Sequence, residues 1–117
     1  MNIAELFEVE AKKTAYTPHK NFQGVYLKHL VTGALTENTV SCHLVKVEPF
    51  CELKMHNHPQ QLEIHEVILG SGVYRTTAKE IPYRPGTVEI IPQNTDHQVT
   101  AGKDGLYILA KFIPALL

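Results

Sequence analysis

Apolar and polar positions alternate along most of this chain, and Gly, Pro, Asn or Asp interrupts the alternation every few residues. VYLKHLV places Val25, Leu27, His29 and Val31 on one face and stops at Thr32 and Gly33, the pattern of a half-buried strand. VSCHLVKV sets Ser41, His43, Val45 and Val47 against Val40, Cys42, Leu44 and Lys46. From Leu62 to Leu69, one face carries Glu63, His65, Val67 and Leu69, and the other Ile64, Glu66 and Ile68; Gly70, Ser71 and Gly72 are expected to end that strand. Val73 to Thr77 and Ile81 to Arg84 read as further short strands, and another lies between Gly86 and Pro92. After His97 the chain is expected to turn at Gly102 to Gly105 and finish in Leu106 to Ile113, which is apolar on both faces and so predicts cover on both sides.

These runs carry no internal repeat or linker and predict an all-β antiparallel sandwich or barrel of jelly-roll type, about residues 25–113. Residues 1–24 form an extension to it. There, Asn2 followed three residues later by Glu5 predicts a short N-terminal helix from Ile3 to about Glu10, with Ile3, Leu6 and Phe7 as its apolar stripe.

A length of 117 residues makes this a single domain. The net charge of −1, without a run of like charges, excludes nucleic acid as the expected partner. Nothing reads as a leader or a membrane span, so a cytoplasmic location without membrane contact is expected. In that compartment Cys42 and Cys51 are expected to be reduced thiols.

Candidate chemistry is concentrated between Phe50 and Gly70. His56 and His58 leave one face of an extended strand roughly 6.5 to 7 Å apart and can lean onto one metal ion. Glu63 has the wrong parity to join them on a continuous strand, so a turn is expected at Pro59, Gln60 and Gln61. Further along, His97 follows a short β run and a polar turn and is the candidate for a third imidazole.

His56-x-His58, four residues, Glu63, six residues, Gly70, and then Gly86, five residues, Pro92 and His97 five positions on, resemble the two motifs of the cupin superfamily. The resemblance spans about residues 48 to 97. It implies a small β-barrel that holds one divalent transition metal through His56, His58, Glu63 and His97, and it also implies a homodimer. Phe50 and Asn94 stand where the family pattern has glycine. Asn tolerates a left-handed turn, whereas Phe50 predicts a type I turn over Glu48, Pro49, Phe50 and Cys51.

Three imidazoles and a carboxylate suit Fe, Mn, Ni, Cu, Co or Zn and leave positions open for water or a small-molecule substrate. The expected function is a metal-dependent small-molecule enzyme, with a dioxygenase favoured. The alternatives are a non-catalytic barrel that binds or senses a small ligand through its metal, and a metal-free ligand-binding dimer. His65 shares the face of Glu63 and is the candidate catalytic acid or base. His43 reads as a satisfied core histidine or a group near the metal, His29 as a packed or edge histidine, and His19 as a solvated residue. Arg75 reads as solvated and Tyr83 as half-buried.

Overall fold

The structure, a computed structural model, describes residues 8–117. Its strands are β1 (Thr17–Pro18), β2 (Val25–Val31), β3 (Ser41–Val47), β4 (Glu52–His56), β5 (Leu62–Arg75), β6 (Glu80–Tyr83), β7 (Val88–Ile91) and β8 (His97–Ile113). All pairings are antiparallel, in the order β1-β2-β3-β8-β5-β6, with β4 added on β8 and β7 on β5. The hydrogen-bonded path does not close on itself, so the expected barrel is an open jelly-roll arrangement.

The two longest strands each belong to both layers. The first half of β5 pairs with β7 and with the second half of β8, as in His65↔Ala110; its second half pairs with β6 and with the start of β8, as in Tyr74↔Val99. The corners are glycines. The β5–β8 register slips between Gly70 and Gly72, and both Gly70 (φ 86°) and Gly105 (φ 75°) adopt positive φ. Thus Gly70 to Gly72 and Gly102 to Gly105 bend strands that the sequence pattern breaks there, because antiparallel sheets turn such corners through bulges. A second slip between Val67 and Leu69 turns Leu69 outward, against its expected inward parity, and leaves it 59% exposed.

The core between the layers contains Val25, Val45, Val47, Val67, Val99, Leu106 and Ile108. Most of the expected helix, Ile3 to about Glu10, falls on residues 1–7 and lies outside the described residues. Glu8 to Glu10 are not helical, and a single 3-10 turn, Ala11–Lys13, follows them. A four-residue helix α1 (Gly33–Thr36) joins β2 to β3. Among the described residues no helix is long and apolar enough to cross a membrane.

The turn before β4 corrects the expectation for Phe50, which takes φ 62° while Cys51 N–H donates to the Glu48 carbonyl at 3.0 Å. A positive φ at the third position of such a turn is type II geometry. Sheet contacts impose it: Phe50 N–H donates to Gly102, and the Cys51 carbonyl accepts from Ala101 N–H. Asn94 takes φ 61°, as its side chain allows.

Candidate metal centre

β4 and β8 pair with His56 directly opposite His97. Beyond β4 the chain turns at Pro59, and Asn94 N–H donates to the His58 carbonyl at 3.1 Å while Asn57 Nδ2 donates to Asp96 at 2.8 Å. These bonds tie together the two loops that carry the histidines. β5 then returns through the other layer and presents Glu63 from the opposite wall. The nitrogens of His56, His58 and His97 all lie within 4.8 Å of one another. Glu63 Oε1 is 3.2 Å from His97 Nε2 and 3.7 Å from His58 Nε2.

Backbone carbonyls set the tautomers of two of these rings. His56 Nδ1–H donates to the Lys54 carbonyl at 2.6 Å, and His97 Nδ1–H to the Thr95 carbonyl at 2.8 Å. Each Nε2 is then a lone pair turned toward the common point, the way ligating histidines are held. Burial, reinforced by His97, pushes His56 down to about 4, and burial also lowers His58, so both rings are neutral near pH 7.

Glu63 is 4% exposed. Burial alone would raise its carboxyl, but the charge and hydrogen bond of His65, with His97 close by adding to them, hold it well below the usual carboxylate range. His65 Nε2–H donates to Glu63 Oε2 at 2.7 Å, and His65 Nδ1 accepts from the Tyr83 hydroxyl at 2.8 Å. Burial raises Tyr83 and keeps it a donor. Both nitrogens of His65 are therefore engaged inside the protein, which leaves no free nitrogen for the acid or base expected there. Its geometry instead holds Glu63 with Oε1 turned to the histidines.

Glu63 Oε1 and His97 Nε2 are buried side-chain atoms without a hydrogen-bond partner. Such atoms are costly unless something else satisfies them. Two donors each roughly 2.1 Å from one ion, at a right angle, stand about 3 Å apart. The orphaned pair and the three converging imidazoles thus fit a metal ion, and the histidine cluster can hold one.

The centre opens into a cavity of about 130 Å³. Its apolar lining includes Leu27, Val45, Leu53, Ala110 and Phe112, with Leu116 and Leu117 across one side. The terminal segment is held there by Ala115 N–H donating to Asn38, Leu116 N–H to Ser41 Oγ, and Gly33 N–H to Leu117.

Three further histidines line the cavity. His43 has the inward parity expected of it and is satisfied, with one ring nitrogen on His29 and the other on Ser41. His29 lines the same space, on the stretch of β2 that lies beyond its pairing with β1. His19 is a correction: it is half-buried, stacks on Phe22 at 4.4 Å, and accepts at Nδ1 from the N–H groups of Asn21 and Phe22. No local pattern marks His19, because the fold of the extension carries it to the cavity. Tyr83 is 1% exposed, not half-buried, and lies under His65. Arg75 pairs with Glu80 at 3.1 Å on the surface, as expected of a solvated arginine.

No family model matches the chain. It is 26% identical over 91 residues to the "Oxalate-binding protein" of Thermotoga maritima, covering 76% of this chain and 75% of that one. A Thermotoga maritima crystal structure described as a "predicted oxalate decarboxylase" superposes with TM-score 0.84 at 24% identity, over 92% of this chain and 99% of that one. An RmlC-like cupin from Shewanella frigidimarina superposes with TM-score 0.79 at 16% identity, over 97% and 94% of the two chains. The fold is that of a small cupin. The same architecture is found in the ectoine synthase of P. lautus, at TM-score 0.83 and 14% identity over 95% and 80% of the two chains. In this chain the histidine cluster sits between the two layers, at the end of the sandwich that β4, β8 and the first half of β5 enclose.

Proposed function

We propose that this cupin is a metal-dependent enzyme acting on a small oxygen-bearing acid, with His56, His58, Glu63 and His97 as ligands to one divalent ion. The main support is the buried, unpartnered pair Glu63 Oε1 and His97 Nε2, which lies beside two neutral imidazoles and opens onto a small apolar cavity. Fe, Mn, Ni, Cu, Co or Zn suits the donor set. Such an ion supplies Lewis-acid polarisation of a bound oxygen ligand or, as iron, binding of dioxygen, and we favour an oxygenase. His65 and Tyr83 serve as positioning residues that keep Glu63 ionised and oriented. Phe112 and the leucines around the cavity exclude water and limit the size of the substrate.

A second reading, a non-catalytic barrel that binds or senses a small acid, has its support in the name of the oxalate-binding relative. Oxygen uptake by iron-loaded protein against a panel of keto acids, diols and thiols separates the two. Turnover of one member is expected. If nothing is consumed while acids raise the melting temperature of metal-loaded protein, the binding reading replaces ours.

We assign a second copy of the chain to the outer face of the sheet formed by β3, β8, β5 and β7, in a cytoplasmic homodimer. Leu44, Leu109, Glu66 and Val88 align across that face, with Ile64 paired to Ile90 beside them. Val88 and Ile90 are 58% and 61% exposed. Exposed apolar residues grouped on one sheet face, here around the Glu66–Lys111 pair, suit an interface. Light scattering is expected to give twice the mass of one 13.1 kDa chain, and a clean monomer overturns the assignment.

A further inference from the structure

A second polar wall of the cavity plays no part in holding the metal. On it His29 Nδ1 lies 2.8 Å from His43 Nδ1, His43 Nε2 lies 2.9 Å from Ser41 Oγ, and Ser41 Oγ accepts Leu116 N–H at 2.8 Å. Ser41 is 0% and His43 2% exposed, so the protons of this chain have to be satisfied within the protein.

That requirement fixes every one of them. With Leu116 N–H on one lone pair, the Ser41 hydroxyl proton has a single acceptor among the described residues, His43 Nε2. His43, thus occupied at Nε2, carries its proton on Nδ1 and donates it to His29 Nδ1. His29, occupied in turn at Nδ1, carries its proton on Nε2. That nitrogen has no protein partner among the described residues, and the ring lines the cavity. Burial, with His29 adding to it, pushes His43 down to about 4, in keeping with a neutral relay.

We infer that His29 anchors the ligand: its Nε2–H is a neutral donor, oriented in advance through His43 and Ser41, for a second oxygen of the small acid whose carboxylate faces the metal centre. This rests on the metal-dependent reading above and narrows the ligand class. Among the described residues no Lys or Arg lines the cavity. A divalent ion beside the Glu63 carboxylate has one positive charge left to offset, which suits a monoanion, and a neutral His29 adds no charge. A space of about 130 Å³, at roughly 10 to 15 Å³ for each water-sized group, takes a molecule of about ten heavy atoms or fewer. The class is therefore a small 2-oxo or 2-hydroxy monocarboxylate, with pyruvate as the probe, in preference to the oxalate dianion.

Two measurements test this. In zinc-loaded, nitrogen-15-labelled protein at pH 7, long-range proton–nitrogen spectra are expected to show His43 protonated at Nδ1 and His29 at Nε2. Finding His43 protonated at Nε2 overturns the relay whatever the ligand is. Calorimetry with pyruvate then compares zinc-loaded wild type with His29→Leu and His29→Gln at equal zinc content. Loss of one neutral hydrogen bond is expected to weaken binding about tenfold in His29→Leu, and Gln, which keeps an N–H donor, is expected to restore most of it. Equal affinity in wild type and His29→Leu overturns the anchor and leaves the metal centre standing. Failure of pyruvate to bind wild type, or tighter binding of oxalate, overturns the ligand class. Failure of wild type to hold zinc at all sinks the underlying metal-dependent reading.

Discussion

Glu63→Gln protein is expected to lose metal affinity by about 100-fold or more, read by titration against a competing chelator. The wild-type carboxylate divides its oxygens: Oε2 accepts from His65 Nε2–H at 2.7 Å, and Oε1 faces His97 Nε2 at 3.2 Å. A glutamine amide cannot serve both directions. If its oxygen stays on His65, an N–H group points at the histidine cluster, and if it flips, two N–H groups confront each other across the His65 contact. Either way the formal charge that offsets a divalent ion is gone. Tyr83→Phe leaves all four candidate ligands in place and removes only the bond that orients His65, so a smaller loss, on the order of 10-fold, is expected, in line with other groups that orient metal ligands. Wild-type affinity in Glu63→Gln would remove Glu63 from the site, and no change in Tyr83→Phe would dissolve the link from tyrosine to carboxylate.

Gly70→Ala is expected to be the most damaging small substitution outside the metal centre, lowering stability by more than about 3 kcal/mol in urea unfolding, well into the uncommon range for a point change. A Cβ at Gly70 would stand 2.1 Å from the Gly105 carbonyl oxygen and 3.1 Å from Leu106 Cα, both backbone atoms, and the residue also holds φ 86°. The two strands that cross between layers meet there, so neither can yield without disturbing the pairing that brings Glu63 toward His97. Gly86 is the control. Its φ of 92° is as unfavourable for an alanine, but nothing lies within 4 Å of a Cβ built there. Gly86→Ala therefore isolates the conformational cost, about 1 kcal/mol. Similar losses at the two positions would mean that the corner is softer than its contacts indicate.

His56, His58 and Glu63 were legible in the sequence as candidates because they are local. Two histidines two apart, a chain breaker and a glutamate on the returning strand describe one hairpin-like unit, and strand parity placed His43, Glu63 and His65 inward correctly. Parity failed at Leu69, where a bulge inserts an extra residue, and turn chemistry failed at Phe50, where hydrogen bonds to Gly102 and Ala101 override the preference of a bulky residue. The glycine clusters at 70–72 and 102–105 were visible as interruptions, but glycine permits a bend as readily as an end. Only the pairing of β5 with β8 shows that both strands continue through them.

By itself, then, the sequence pointed to the β class, to His56, His58 and Glu63 as candidate ligands and to the inward parity of His43 and His65, since each depends on residues a few positions apart, whereas His97 entered the set through the family resemblance. Tertiary structure alone decided which groups finish the site. His29 meets His43 through the register of β2 on β3, Tyr83 reaches His65 from a separate strand, and His19, Leu116 and Leu117 arrive from outside the motif altogether. Contacts between distant segments follow from how the layers register and pack, and no local periodicity encodes that.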